Sequence, residues 1–427
     1  MKKVAVIGAG ISGLTIANLL KDKYIVKVYE KESIPGGLIS CKEINGGLFH
    51  TCGGHVFNSK RQDVLNWFWS FFDREAEFTK VPRNSIIFME DGTKLPYPIE
   101  NYAYLFDEKM KISFIEDLIF LAKTQKCESA NFEDFLLNRF GKTLYQNYFK
   151  PYNEKVWRRD LSKIPLSWLE GKLPMPRLEE IIYNNIDHVQ EKQFVHSSFW
   201  YEKNNGSQFV AERFAKDLTI EYGKNIQKIE RKKGSWIVEG EMFDYIVYCG
   251  NIKNIPFVLE GEGVDLSDYV LQLDSLEYHG TTSVFCEIES NPYSWIYMPS
   301  RLHQSHRIIC TGNFSENNNP SGKLTATIEF TDEISLEDIH DNLSRIPLKP
   351  KYITHHYTPC SYPIQDADTR QMIKDLKTVL SKLNFYFSGR FADWEYYNMD
   401  VAIGAAMILL LIVLISGKMI LIWLICL

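Results

Sequence analysis

Apolar and polar positions at the start of the chain follow two different periods in quick succession. Val4–Ile7 is a short apolar run, Ile11–Leu20 repeats with helical spacing, and Ile25–Tyr29 alternates before the polar Glu30. Strand, helix and strand are therefore expected in that order. From about Glu108 to His188 helical spacing dominates, as in Ile112–Lys123 and Phe132–Phe149, and Pro151, Pro165, Pro174 and Pro176 punctuate the second half of the block. The turn-forming Asn205-Gly206-Ser207 introduces a helical pattern over Gln208–Leu218. Ile226–Arg231 and Ser235–Glu239 read as a small hairpin, and Tyr245–Tyr248 as a core strand. Residues 270–360, rich in β-formers and turns, suggest an antiparallel sheet. Phe385–Ser388 reads as a further short strand, and Gly389-Arg390 as the opening of a last helix. No internal repeat or low-complexity linker interrupts this order. The plan is an α/β domain in three pieces (1–95, 195–255 and 375–407) with a helical insert at 96–194, an antiparallel β-sheet insert at 256–374 and an apolar tail at 408–427.

Composition narrows the picture. With 427 residues, two or three packed subdomains are the default. Hydrophobic residues at 45% and charged residues at 24% describe a globular chain. The 14% aromatic content points to a ligand cleft. A net charge of −6 argues against a nucleic-acid partner. Eight cysteines without a C-x-x-C pair suggest neither a metal site nor a disulfide framework, so a reduced, cytoplasmic setting is expected. Gly8, Gly10 and Gly13 break the apolar start, which rules against an export signal. At the other end, Val401–Leu427 is almost wholly apolar and long enough for a membrane helix, which needs about 20 residues. A membrane anchor, a buried terminal helix and a frameshifted tail all remain open on that pattern. The oligomeric state is also open.

Gly8-Ala9-Gly10-Ile11-Ser12-Gly13 lies between the first strand and helix. There the first glycine permits a tight turn, the second lets a pyrophosphate approach the backbone, and the third allows helix and strand to pack closely. The helix N-terminus offers unpaired N–H groups and a positive dipole end to phosphates. Glu30 ends the next strand, placed for ribose hydroxyls. The fold class is thus α/β with a Rossmann-like dinucleotide domain. Lys31 and then Gly36-Gly37 resemble the continuation typical of glutathione-reductase and amine-oxidase flavoproteins, so FAD is the expected cofactor. By the same likeness Gly37 and Arg390, the latter in Phe387-Ser388-Gly389-Arg390, are expected at the flavin.

Further motifs, spread from Val4 to about Met407, together resemble UDP-galactopyranose mutase. Gly53-Gly54-His55-Val56-Phe57 looks like that family's Gly-His loop beside the flavin. Pro151-Tyr152-Asn153-Glu154-Lys155-Val156-Trp157 is similar to its uridine-bordering segment, which implicates Asn153 and Trp157. Trp295-Ile296-Tyr297 followed by Arg307 looks like a sugar-site tyrosine before a diphosphate arginine. Gly389-Arg390-Phe391-Ala392 with Trp394-Glu395-Tyr396-Tyr397 resembles the flavin-proximal motif, and Tyr362 and Tyr396 match tyrosines around the diphosphate. The resemblance implies that N5 of reduced FAD attacks the anomeric carbon as UDP leaves. The sugar then recloses with the other ring size, so UDP-galactopyranose and UDP-galactofuranose interconvert for cell-surface glycan synthesis. NAD(P)H is the implied reductant.

A diphosphate leaving group calls for cations where charge develops. Arg307 supplies one. The family's second arginine falls in Trp168-Leu169-Glu170-Gly171-Lys172-Leu173-Pro174, where this chain has Lys172, and Arg177 follows five residues on. Lysine keeps the charge and loses the bidentate fork. The alternatives carried forward are an FAD-dependent oxidoreductase of the amine-oxidase or protoporphyrinogen-oxidase type, and a membrane-tethered flavin-binding protein without catalysis.

Overall fold

The computed structural model describes the chain except residues 125–127, 167–175, 190–196, 321 and 417–427, and the side chains of 411–416. A five-stranded parallel sheet forms its base, with strands in the order Phe385–Phe387, Tyr245–Tyr248, Lys3–Ile7, Ile25–Tyr29 and Ile220–Glu221. Alternation along Lys3–Ile7 divides two cores. Val4 and Val6 face Leu14, Ile16, Phe68 and Phe214, while Ala5 and Ile7 face Trp236, Leu376 and Phe385. Helix Ile11–Leu20 follows the first strand as expected.

A seven-stranded sheet stands against this base, in the order Lys351–Pro363, Tyr278–Ile288, Leu324–Thr331, Arg307–Ile309, Trp295–Tyr297, Ser85–Phe88 and Lys94–Pro96. Its pairings are antiparallel except the junction of Trp295–Tyr297 with Ser85–Phe88. The two strands at 85–96, grouped with the nucleotide-binding pieces in the sequence reading, belong to this sheet. Strand Leu259–Gly261, assigned to the sheet insert, instead extends the small sheet built on the expected hairpin, now Ile229–Lys232 with Ser235–Val238.

The helical region holds Glu108–Lys123, Phe132–Leu144, Lys150–Trp157 and Leu178–Ile186. The expected single helix over 132–149 is broken at Gly141 (φ 80°, ψ 170°), and a π-turn at Tyr145–Phe149 leads into the next helix. Gly389-Arg390 does not open a helix either. Gly389 has φ 124° and Trp394 φ 54°, so the segment folds into turns, and the helix starts only at Met399. That helix, Met399–Ser416, is partly core. Ala402, Ile403, Ala406 and Leu409 are buried, and the last three pack into the cluster that holds Leu14, Ile16 and Ala17. Its apolar first half is thus accounted for by burial against the parallel sheet's helix. Among the described residues no helix is long and apolar enough to cross a membrane. Residues 417–427 of the expected anchor lie outside the described residues.

Candidate active site

The turn after the first strand has the shape a diphosphate needs. Gly8 has φ 108°, and its N–H donates to Tyr29 O at 2.7 Å. A Cβ added at Gly13 would lie 1.9 Å from Gly8 O, so only glycine permits this packing of helix on turn. No side chain caps the helix N-terminus at Gly10, which leaves its first-turn N–H groups to a ligand. Glu30 is buried, and its carboxylate accepts from Ala9 N at 2.6 Å and Glu32 N at 2.9 Å. These bonds hold it beside the turn with lone pairs to spare for a ribose. Gly36 N donates to Ala9 O at 2.9 Å and brings Gly36-Gly37 across the same turn. Lys31 points away, its side chain 67% exposed beside Glu32.

The late Ser388-Gly389-Arg390 segment closes on this turn from the next strands. A Cβ at Gly389, whose φ is already positive, would lie 3.1 Å from Ser12 Oγ. The buried Ser388 hydroxyl has no protein partner. Arg390 donates to Ser361 O at 3.0 Å and to Tyr397 O, and its guanidinium lies 4.8 Å from the Tyr396 ring centre.

The Gly-His loop spans the gap between turn and second sheet. Gly53 N donates to Glu329 Oε1 at 2.8 Å. His55 is held near pKa 4, chiefly by burial and then by Arg390, so its ring is neutral at neutral pH. Its Nε2 is buried without a protein partner. An orphaned ring nitrogen between two glycines and an arginine is what a bound planar heterocycle would satisfy. Turn, free helix terminus, buried acid and orphaned Ser388 and His55 atoms together fit a dinucleotide with an extended ring system.

The wall opposite is built on the seven-stranded sheet. Arg307 stands directly across from Glu329 in the strand register. Its Nε donates to Glu329 Oε2 and its Nη2 to the Tyr362 hydroxyl at 3.0 Å. The Glu329 side chain is fully buried. Burial alone would raise its pKa, but Arg307 and then His306 outweigh that and hold it down at about 2. Tyr362 stacks on Tyr396 with ring centres 5.5 Å apart and planes 6° from parallel. Trp157 meets Tyr362 edge-on at 5.9 Å. Asn153 Oδ1 accepts from Trp157 Nε1 at 3.2 Å and fixes the indole. Tyr297 takes a bond from Arg83 Nη2 at 2.9 Å and lies 5.6 Å from Tyr152.

The structure therefore brings Arg307, Tyr362, Tyr396, Trp157, Asn153, Tyr297, His55 and Arg390 to one place. Lys172 lies outside the described residues. Arg177 sits on the surface, 73% exposed and engaged with Glu180 in a helix cap. Sequence reasoning missed Glu329, Arg83 and Tyr152. A lone acid inside the β-branched run Leu324–Thr331 was the available signal for Glu329, because such a charge must be paired when buried. No group of acids, histidines and cysteines among the described residues is arranged to hold a metal.

Fold and site define a Rossmann-like dinucleotide-binding protein whose cofactor turn faces an arginine-centred, tyrosine-lined wall. Residues 6–74 match the family described as NAD(P)-binding Rossmann-like domain. Over 94% of its length the chain is similar to the UDP-galactopyranose mutase of Mycoplasma genitalium, at 22% identity and covering 92% of that protein. The Escherichia coli dTDP-fucopyranose mutase is 28% identical over 41% of this chain and 46% of its own. Among solved structures, a reduced UDP-galactopyranose mutase superposes with a TM-score of 0.86 at 21% identity, covering 97% of this chain and 94% of its own. The resemblance to UDP-galactopyranose mutases thus runs along nearly the whole chain.

Proposed function

We propose that this protein is an FAD-dependent mutase that interconverts the pyranose and furanose forms of a nucleotide sugar, with UDP-galactose as the substrate. One observation carries the reading. A half-buried, carboxylate-anchored arginine faces the cofactor side of the molecule among tyrosines, where a diphosphate leaving group would develop charge. Reduced FAD held there would supply the nucleophile for the anomeric carbon.

The chain's own residues do the rest. Gly8, Gly10, Ser12, Gly13 and the adjoining helix terminus hold the FAD diphosphate, Glu30 its ribose, and Gly37 and Arg390 the flavin side. Neutral His55 gives the ring a hydrogen-bond partner without adding charge. Arg307 uses the donors left by Glu329 and Tyr362 to bind the UDP diphosphate and stabilise its departure. Trp157 and Asn153 border the uridine, Tyr297 the sugar, and Tyr362 with Tyr396 the diphosphate. Lys172 is assigned the second cation and NAD(P)H the role of reductant, with the product destined for a cell-surface glycan. The described cysteines are all free, in keeping with a reducing cytoplasmic setting.

The test is anaerobic. The holoenzyme is reduced with dithionite and given UDP-galactofuranose, and UDP-galactopyranose is followed by chromatography. Turnover by reduced and not by oxidised enzyme is expected. No turnover in either state, with donor-dependent oxygen consumption by the oxidised protein when an amine or other donor is added in air, would instead make it an oxidoreductase on this scaffold.

A further inference from the structure

Helix Lys150–Trp157 carries Asn153 and Trp157 on one side of the site, while the paired strands Trp295–Tyr297 and Arg307–Ile309 carry Tyr297 and Arg307 on the other. Arg301 donates to Glu154 Oε2 at 3.0 Å on the exposed side, Tyr152 meets Tyr297 edge-on, and a half-buried lysine ties the helix to both ends of the strand connection. Lys155 Nζ donates to Met298 O at 2.9 Å and to Ser305 O at 3.0 Å. These carbonyls flank residues 299–304, the excursion joining the two strands, and both residues are fully buried. Met298 N closes the same excursion by donating to His306 O at 2.9 Å. Tyr297 and Arg307, the next residues inward, are direct partners in the register. The helix is also pinned to the strand bearing Glu329. Thr331 Oγ1 donates to Lys155 O at 2.7 Å, and Arg158 Nη2 donates to Thr331 O at 2.9 Å.

We propose that Lys155 is a positioning residue for nucleotide-diphosphate binding, which fixes the distance between the Trp157 wall and the Arg307–Glu329 pair by clamping both ends of the 299–304 excursion. The inference rests on the reading that Arg307 takes the UDP diphosphate. Lys155 touches neither Arg307 nor Tyr297. It acts through the backbone that aims them, so its loss changes ligand geometry and leaves the charge at Arg307 in place. Burial pushes the ammonium down to about 7, with Glu90 opposing. A methionine therefore preserves the stem's packing and removes a group that is itself costly to bury, so Lys155→Met is expected to fold.

Kd for UDP is measured by calorimetry on the FAD-loaded protein for wild type, Lys155→Met, Arg307→Ala and the double variant, alongside flavin content and Tm. Loss of one donor's two bonds to carbonyls is expected to raise the Lys155→Met Kd about tenfold or more. Flavin content should be unchanged. The double variant is expected to bind no more weakly than Arg307→Ala alone, because the lysine's effect passes through that arginine. Unchanged affinity in Lys155→Met, or losses that simply multiply in the double variant, overturns the proposal. If Arg307→Ala itself binds UDP as wild type does, the parent reading falls and takes the proposal with it. Should Lys155→Met fail to fold, Thr331→Val loosens the same helix. It is expected to weaken UDP about threefold or more in wild type and not at all beside Arg307→Ala, and multiplying losses again overturn the proposal.

Discussion

Arg307 is not a bare cation. Its charge is matched by Glu329, a carboxylate with no exposure that also receives the Gly53 amide. On the proposed function, a diphosphate would meet a fork of donors already aimed by Glu329, so little reorganisation would remain at the moment of reaction. Glu329→Gln leaves the half-buried arginine without its counter-ion and is expected to destabilise the fold by about 3 kcal/mol at neutral pH. The folded-state pKa of Glu329, about 2, lies below its ordinary 4.5, so its stabilisation is complete above about 4.5 and lost as pH falls towards 2. Urea titrations should show the gap between wild type and Glu329→Gln narrowing across that window. A constant gap would mean that the carboxylate is not the ionised partner. Arg307, Tyr297, Tyr362 and Tyr396 were legible in the sequence because each sits in a recognisable string. Glu329 was not, because Leu324–Thr331 reads as an ordinary buried strand and its partner lies twenty-two residues away in the chain.

Individual elements show why some patterns are legible and others are not. Strand, helix and strand over 3–29 were readable because apolar period, glycine spacing and terminal acid all agree there. Gly389-Arg390 misled because a glycine after a strand is read as a helix start, while here it supplies the positive φ that lets the chain graze Ser12. The kink at Gly141 was hidden because residues on both sides have helical spacing. The tightest requirement is at Gly13. Gly13→Ala places a methyl against Gly8 O and forces the turn open, so flavin absorbance per protein after purification should fall more than about tenfold. Full occupancy in that variant would mean that the turn does not cradle the cofactor.

At the scale of the whole molecule, residues far apart in sequence finish the same surfaces. Helix Met399–Ser416 packs on helix Ile11–Leu20, and Ile403 is fully buried at that contact. Ile403→Ala is expected to cost about 2–5 kcal/mol in urea denaturation. A change under about 1 kcal/mol would show that the helix is a peripheral appendage. The apolar stretch at the C-terminus was read as ambiguous because a core helix and a membrane helix begin with the same composition. Only the partner, the first helix, distinguishes them.

The parallel sheet pairs Tyr245–Tyr248 with Lys3–Ile7 on one side and with Phe385–Phe387 on the other. The turn after Lys3–Ile7 is therefore closed by a strand synthesised only after every other strand of that sheet. At ordinary synthesis rates the growing chain spends on the order of tens of seconds with its first strand made and its sheet unfinished. During that interval Ser12 has no Gly389 to meet, and the dinucleotide seat of the proposed function would be incomplete. A chain stalled short of residue 385 would present the open edge of Tyr245–Tyr248 to its neighbours in the cell.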